Sequence, residues 1–369
     1  MRAMSARTTT AAIMRAAGAP LDVREISVEP PRSGEVLVRM AASGVCHSDL
    51  HTLDGVQPFP LPVILGHEGA GVVEEVGPDT AGVRPGDHVM LSWVPYCGHC
   101  RMCAQGRPNL CEELAWSNAG TMMDGTVRFH ADGAPVHHYT TSSFSGLSVV
   151  PAQSCIPVAS DLPLDELALM GCAVMTGFGA VLNTARVRPG ERVAVIGCGG
   201  VGLNVIQAAV VAGATTIVAV DVSERALELA RAFGATATVH ASGAEAEAAI
   251  RRHAGGAVDC AFEALGRRDT IELALAVTGR GGQTVLIGMA APGEPATIDP
   301  LAITVEERVV RGSWYGSCRP SVDFPMLIDL YRAGRIRLGA MTEPMPLRDV
   351  NRAFDLLRAG RAGRSVLVF

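Results

Sequence analysis

The sequence predicts an α/β protein of two domains, a β-rich one first and a doubly wound parallel sheet after it. Three observations carry this. The chain has 369 residues, 48% of them hydrophobic and 18% charged, and at roughly 150 residues per domain that length suits two cores better than one. Residues 35–91 break into short alternating or β-branched runs punctuated by glycine and proline, the pattern of strands joined by tight turns. Beyond residue 161, strand-length apolar runs alternate with helix-length ones, a rhythm that belongs to βαβ units building a parallel sheet.

Taken in order, Met1–Thr10 carries arginines but no apolar stretch and is expected to be a frayed tail, not a secretory signal. Glu35–Met40, Gly71–Val76 and His88–Leu91 are predicted strands. Residues 92–147 are polar and glycine-rich and read as irregular, with a long loop around Gly120–Gly133; a loop of that length is functional or pinned by something. Asp161-Leu-Pro-Leu-Asp-Glu166 opens a helix with a cap and early acids, leading into Gly171-Cys-Ala-Val-Met-Thr-Gly177. Arg192–Ile196, Ile217–Val220, Val258–Ala261 and Gln283–Ile287 are predicted strands, with helices over Gly202–Ala212 and Glu224–Phe233. From about 315 the chain returns to helix (Phe324–Arg332, Val350–Ala359) and a last strand (Ser365–Phe369). Val193–Val220 contains no charge and has the length of a membrane helix. The glycines in its middle divide it instead into strand, turn, buried helix and strand, so no membrane partner is expected.

A formal charge of −6 provides no basic footprint for nucleic acid. All 31 basic residues are arginine, which excludes a lysine Schiff base, a Walker-type phosphate lysine and a Tyr–Lys dehydrogenase dyad. Ten cysteines are too few for a disulfide scaffold, and four of them cluster. That usage points to metal in a reducing, cytoplasmic compartment.

Two motifs carry chemistry. Gly197-Cys198-Gly199-Gly200-Val201-Gly202 follows a predicted strand and opens a helix. Gly197, Gly199 and Gly202 allow a tight turn, close approach of a pyrophosphate and close helix–strand packing, and the helix N-terminus faces the phosphates. Asp221 ends the next strand, where an acid accepts ribose hydroxyls and repels a 2′-phosphate, favouring NAD over NADP. Arg225 stands either near the same ribose or in solvent. In the second motif, Cys97, Cys100, Cys103 and Cys111 place four thiolates on one short lobe; a zinc closed by four sulfurs is structural, and an iron–sulfur cluster is the competing reading.

With Gly66-His67-Glu68-x-x-Gly71, the segment Cys46…Ser48…His51 and Gly171-Cys172, these motifs resemble the zinc-dependent medium-chain dehydrogenase/reductase family, specifically its alcohol dehydrogenases. They occur in that family's order along nearly the whole chain. The resemblance implies a GroES-like β-rich catalytic domain over 1–173 and 316–369, with its zinc lobe at 92–113, and a Rossmann NAD-binding domain over 174–315. It implies two Zn²⁺ ions per chain, the second a catalytic one on Cys46, His67 and Cys172, an open set that spacing alone does not reveal. It further implies that Glu68 lies near that metal, that Asp49 orients the ligating histidine and that Ser48 and His51 relay the alcohol proton. His47 and Arg364 would contact the pyrophosphate, alongside Gly200. Thr176, Val201 and Met289 would pack toward the nicotinamide. The activity implied is NAD-dependent interconversion of an alcohol and its aldehyde or ketone, by zinc-assisted hydride transfer.

For the substrate, Trp93 and Trp116 resemble pocket-lining positions, with Met289 and the 137–141 segment at the mouth. They favour an apolar, aromatic or terpenoid alcohol. The stretch from Gly312 to Tyr331 is also similar to thiol-adduct formaldehyde dehydrogenases. Leu114 stands where the glutathione version is expected to carry an arginine, and Gly55, Val56 and Gln57 supply no acid. An S-(hydroxymethyl)mycothiol adduct is therefore the alternative. A zinc-free quinone or enoyl reductase, or a non-enzymatic relative, is more distant. The long 116–145 loop goes with homodimers.

Overall fold

A computed structural model describes residues 6–361 and 363–369. Of the tail expected over Met1–Thr10, residues 1–5 lie outside the described residues, and the rest is not frayed. Arg7–Met14 form strand β1, paired antiparallel with β2 (Asp22–Val28). Ala11–Met14 are buried, so the apolar end enters the core and the ladder carries the polar start with it.

The chain divides into two compact units, one of residues up to Cys172 together with Thr342–Phe369 and one of Ala173–Met341. The first holds β3 (Glu35–Gly44), β4 (Val63–Ile64), β5 (Glu68–Val76), β6 (His88–Leu91), β7 (Phe129–Ala131), β8 (Ala134–His138), β9 (Leu147–Pro151) and β10 (Cys155–Val158). Strands in the order β1-β2-β7-β8-β4 close a barrel. Its core includes Ile13, Ile64, Phe129 and Phe144. The β7–β8 hairpin falls inside 92–147, which was expected to be irregular. Asp132 and Gly133 both have positive φ, 53° and 78°, the two-residue turn that suits the twist of a hairpin. The helix expected from Asp161 begins instead at Leu164, with Pro163 extended at its cap position (Leu164–Leu167).

The second unit contains β11 (Arg192–Ile196), β12 (Thr216–Val220), β13 (Ala237–Val239), β14 (Val258–Glu263), β15 (Thr278–Leu286) and β16 (Val309–Gly312). All pair in parallel, in the order β13-β12-β11-β14-β15-β16, the doubly wound arrangement. β11, the helix Gly200–Ala212 and β12 divide the uncharged stretch as expected. Among the described residues no single helix is long and apolar enough to cross a membrane. The chain returns to the first unit at Thr342, later than the expected residue 316. The intervening helix Pro320–Arg332 buries Phe324 and Leu327, and its Asp323 accepts a 3.0 Å hydrogen bond from Asn183 of the same unit.

Finally, β17 (Thr342–Pro346) and β18 (Arg364–Val368) complete the first unit's second sheet, in the order β10-β6-β5-β3-β18-β17 with β9 on β3. β5 starts at Glu68, earlier than the expected Gly71, so a site residue lies in the ladder itself.

Candidate active site and metal centres

The lobe cysteines converge. Sγ of Cys97 lies 3.9 Å from Cys103, and Cys100 lies 4.0 Å from Cys111. Four sulfurs about 2.3 Å from a tetrahedral zinc stand about 3.8 Å apart, so the donor set fits that ion. Backbone amides of Cys97, Cys100, Cys103 and Glu112 donate to the sulfurs of Cys111, Cys97 and Cys100 at 3.3–3.5 Å; the two on Cys100, from Glu112 and Cys103, lower its thiol below the usual range and favour its thiolate.

Cys46, His67, Glu68 and Cys172 form a second group, all buried, their ligand atoms within 4.8 Å of one another. The helix α1 (His47–Leu53) is built around it. Cys46 caps α1, and Asp49 three residues on accepts from the Cys46 amide at 3.1 Å. The other Asp49 oxygen accepts from the Gly66 amide at 3.0 Å and lies 3.1 Å from His67 Nδ1. With Nδ1 engaged, Nε2 is the ring atom left to bind a metal. Burial disfavours a charged His67 ring, but the Asp49 carboxylate and the Cys46 sulfur outweigh it and raise the ring well above its ordinary value. The Cys172 thiol hydrogen-bonds the Cys46 sulfur and holds Cys46 well below the usual thiol range; the same pairing pushes Cys172 up. Two sulfurs and an imidazole brought together from three distant segments fit zinc with one position open.

Glu68 is fully buried, and burial raises its carboxyl to about 7. Its partner is Arg364, 3.4 Å away and also buried. A Cβ at Gly44 would overlap the Glu68 carboxylate, so that glycine is required for space. Arg364 further donates to the Val45 carbonyl at 2.9 Å. His47 is exposed at the start of α1, while Ser48 and His51 are half-buried one turn apart. Ser48 Oγ lies 3.9 Å from the Cys46 sulfur.

Two aromatic rings meet His67 edge-on, Trp93 and Tyr139, each with its centroid 6.0 Å away. Phe59 packs on Tyr139 at 5.0 Å. Trp116 is half-buried in the short helix Ala115–Asn118.

In the second unit, the glycine turn leads into a helix whose cap, Gly199, offers no side-chain hydrogen bond, leaving the first amides free for an anion. A Cβ at Gly202 would overlap the Gly197 carbonyl, whereas around Gly199 there is open space. Asp221 accepts from the amides of Cys198 at 2.7 Å and Ser223 at 2.9 Å, with lone pairs to spare for a ribose. These features fit a dinucleotide. Arg225 is exposed on the helix Glu224–Ala232. Thr176, Val201 and Met289 are half-buried in this unit.

Residues 32–160 match the model of the alcohol dehydrogenase GroES-like domain, and residues 200–333 match that of zinc-binding dehydrogenases. An S-(hydroxymethyl)glutathione dehydrogenase of Paracoccus denitrificans is 40% identical, over 98% of this chain and 100% of that one. The chain belongs to the zinc-binding alcohol dehydrogenase family. Two solved dehydrogenase structures resemble it throughout. An alcohol dehydrogenase zinc-binding domain protein from Burkholderia ambifaria has a TM-score of 0.95 at 36% identity, covering 99% of this chain and 100% of that one. Benzyl alcohol dehydrogenase from Acinetobacter calcoaceticus has a TM-score of 0.94 at 31% identity, covering 98% and 99%.

Two features of this alcohol dehydrogenase escape its sequence. Tyr139 stands within the 137–141 segment, but nothing in the sequence signals its hydroxyl's approach to α1. The buried pairing of Arg128 with Glu35 joins residues 93 apart, and neither has a local pattern around it.

Proposed function

We propose that this dehydrogenase oxidises an apolar or aromatic alcohol with NAD, on a zinc held by Cys46, His67 and Cys172. The convergence of those three buried side chains, with Ser48 beside them, carries the reading. When bound, zinc supplies a Lewis acid for the alcohol oxygen and the nicotinamide an acceptor for hydride. Asp49 fixes the ring of His67. Ser48 takes the proton from the alcohol hydroxyl, and His51, one turn along α1, carries it on toward solvent. Glu68 and Arg364 neutralise each other beside the sulfurs. Asp221 and the Gly197–Gly202 turn hold the cofactor, and the lobe thiolates hold a structural zinc. Trp93, Tyr139 and Phe59 provide apolar walls, which suits a benzylic substrate and agrees with the likeness to a benzyl alcohol dehydrogenase.

The likeness to a glutathione-adduct enzyme supports a second reading. Leu114 and the acid-free Gly55–Gln57 loop speak against glutathione itself, which leaves S-(hydroxymethyl)mycothiol as the adduct. Support for a homodimer comes from the edge strand β16 and the exposed Leu301, Val305 and Val309 near it in sequence. The ten free cysteines suit a reducing, cytoplasmic setting.

The test is NADH formation across benzylic, terpenoid and aliphatic alcohols and formaldehyde with mycothiol, alongside metal analysis. Wild type should contain two zincs per chain. Cys46→Ala should retain one, bind NAD unchanged and lose turnover by about 10³-fold or more, the several kcal/mol that a Lewis acid supplies. Undiminished turnover in that variant would sink the assignment.

A further inference from the structure

The turn after β8 is strained. Thr140 and Ser142 have φ of 50° and 45°, a left-handed conformation that non-glycine residues keep only where their surroundings over-determine it. Here the surroundings are buried hydroxyls and backbone. The Tyr139 amide donates to Ser142 Oγ at 2.9 Å, and the Ser142 amide donates back to the Tyr139 carbonyl at 2.8 Å. The turn is clamped to the segment just before His67. The Ser143 amide and Thr141 Oγ1 both donate to the Gly66 carbonyl, at 3.0 and 3.4 Å, and the Phe144 amide donates to the Leu65 carbonyl at 3.0 Å. Gly66 itself has φ of 94°, and a Cβ there would come within 2.6 Å of Phe144 and Ser143, so the two segments fit only as they stand.

What the strained turn presents is Tyr139. Its ring is buried, and its hydroxyl lies 3.3 Å from Thr52 Oγ1 and 3.5 Å from the Ser48 carbonyl oxygen; Thr52 Oγ1 donates to the same carbonyl at 3.2 Å. The Ser48 carbonyl is thus approached by one hydroxyl from its own helix and one from a turn clamped to the His67 segment. α1 has only seven residues, too few to hold its own geometry in isolation, so its orientation depends on outside attachments. Asp49 is one, through the amides of Cys46 and Gly66, and the Gly18 amide, which donates to the Leu53 carbonyl at 2.7 Å, ties its far end. Tyr139 is the attachment that reaches the Ser48 turn.

We propose that Tyr139 is a positioning residue: its hydroxyl, tethering Thr52 and the Ser48 carbonyl, holds the Ser48 side chain in place for proton transfer relative to the metal-binding segment. This rests on the reading of Ser48 as the proton acceptor. The ring and the hydroxyl do separate work, since a phenyl ring would meet His67 and Phe59 equally well while offering nothing to α1.

The experiment uses the zinc-loaded enzyme and its Tyr139→Phe, Thr52→Val and double variants, with Ser48→Ala as reference and benzyl alcohol as probe. In Tyr139→Phe, zinc content, NAD affinity and KM should stay within about twofold of wild type. Its kcat should fall about tenfold, the scale expected when a reacting group is slightly misplaced, and the solvent deuterium isotope effect on kcat should rise as proton transfer becomes limiting. Thr52→Val should show the same signature, and the double variant should lose little more than either single one. If Ser48→Ala keeps wild-type kcat, the relay reading itself fails. If Ser48→Ala is impaired while Tyr139→Phe keeps wild-type kcat and isotope effect, the tether is overturned. A Tyr139→Phe loss confined to KM, or a kcat loss with an unchanged isotope effect, overturns it as well.

Discussion

Asp49 shows how much one buried residue decides. Its two oxygens serve the Cys46 amide, the Gly66 amide and the His67 ring, so two members of the metal group 21 positions apart depend on a carboxylate that is not itself one of the ligands. Asp221 has an equivalent place in the second unit. Its oxygens already accept two amides, which fixes the charge where an adenosine ribose would lie against the glycine turn. Asp221→Gly should remove the repulsion of a 2′-phosphate and lower the NAD/NADP ratio of kcat/KM at least about tenfold, or roughly 1.4 kcal/mol. Steady-state kinetics with both cofactors would measure this, and an unchanged ratio would remove Asp221 from the site.

Among the elements, the long loop before β7 owes its shape to Arg128. The guanidinium is fully buried, bidentate on Glu35 at 2.8 and 2.6 Å, and 2.8 Å from Asp124. Arg128→Met leaves Glu35 buried and uncompensated, a loss of about 3–5 kcal/mol. Its thermal midpoint should drop by several degrees, and limited proteolysis should cut within 116–131 first. Burial would raise the Asp124 carboxyl, but bonds from Thr126 and Arg128 outweigh it and hold the group well below its ordinary value. A depressed folded value means that this stabilisation is complete above about pH 4 and is lost as the pH falls below it. The gap between wild-type and Arg128→Met melting midpoints should accordingly narrow between pH 7 and pH 3, and a constant gap would contradict the role of Asp124.

At the scale of the whole molecule, β16 leaves one edge of a six-stranded sheet without a neighbour strand among the described residues, and Val309 on it is 39% exposed. Unpaired edges recruit strands, and a second copy of this chain offers a matching one. On the proposed homodimer, wild type should scatter light with the mass of two chains and Val309→Arg should shift that mass toward one while leaving the lobe zinc in place; a wild-type mass of one chain would overturn the dimer, and an unchanged mass in the variant would locate the interface elsewhere. The division of labour between sequence and tertiary structure follows from the range of the forces involved. The glycine turn and the four lobe cysteines were legible because each is a local solution to backbone sterics or to metal geometry within a few residues. Four of the six parallel strands, β11, β12, β14 and β15, were legible because burial on both faces demands continuous apolar runs; the short β13 and the largely exposed β16 were not. The extent of β1, the return of the chain at Thr342, the burial of Arg128 on Glu35 and the tether from Tyr139 to α1 were not, since each depends on groups far apart in sequence whose pairing becomes favourable only once packing has excluded water from both. The sequence by itself determined the family, the ligand types and the doubly wound sheet. Only the tertiary structure decided how the Cys46, His67 and Cys172 side chains named by the resemblance meet, buried beside Glu68 with their ligand atoms within 4.8 Å of one another, because a ligand set drawn from three segments has no geometry until the chain has folded.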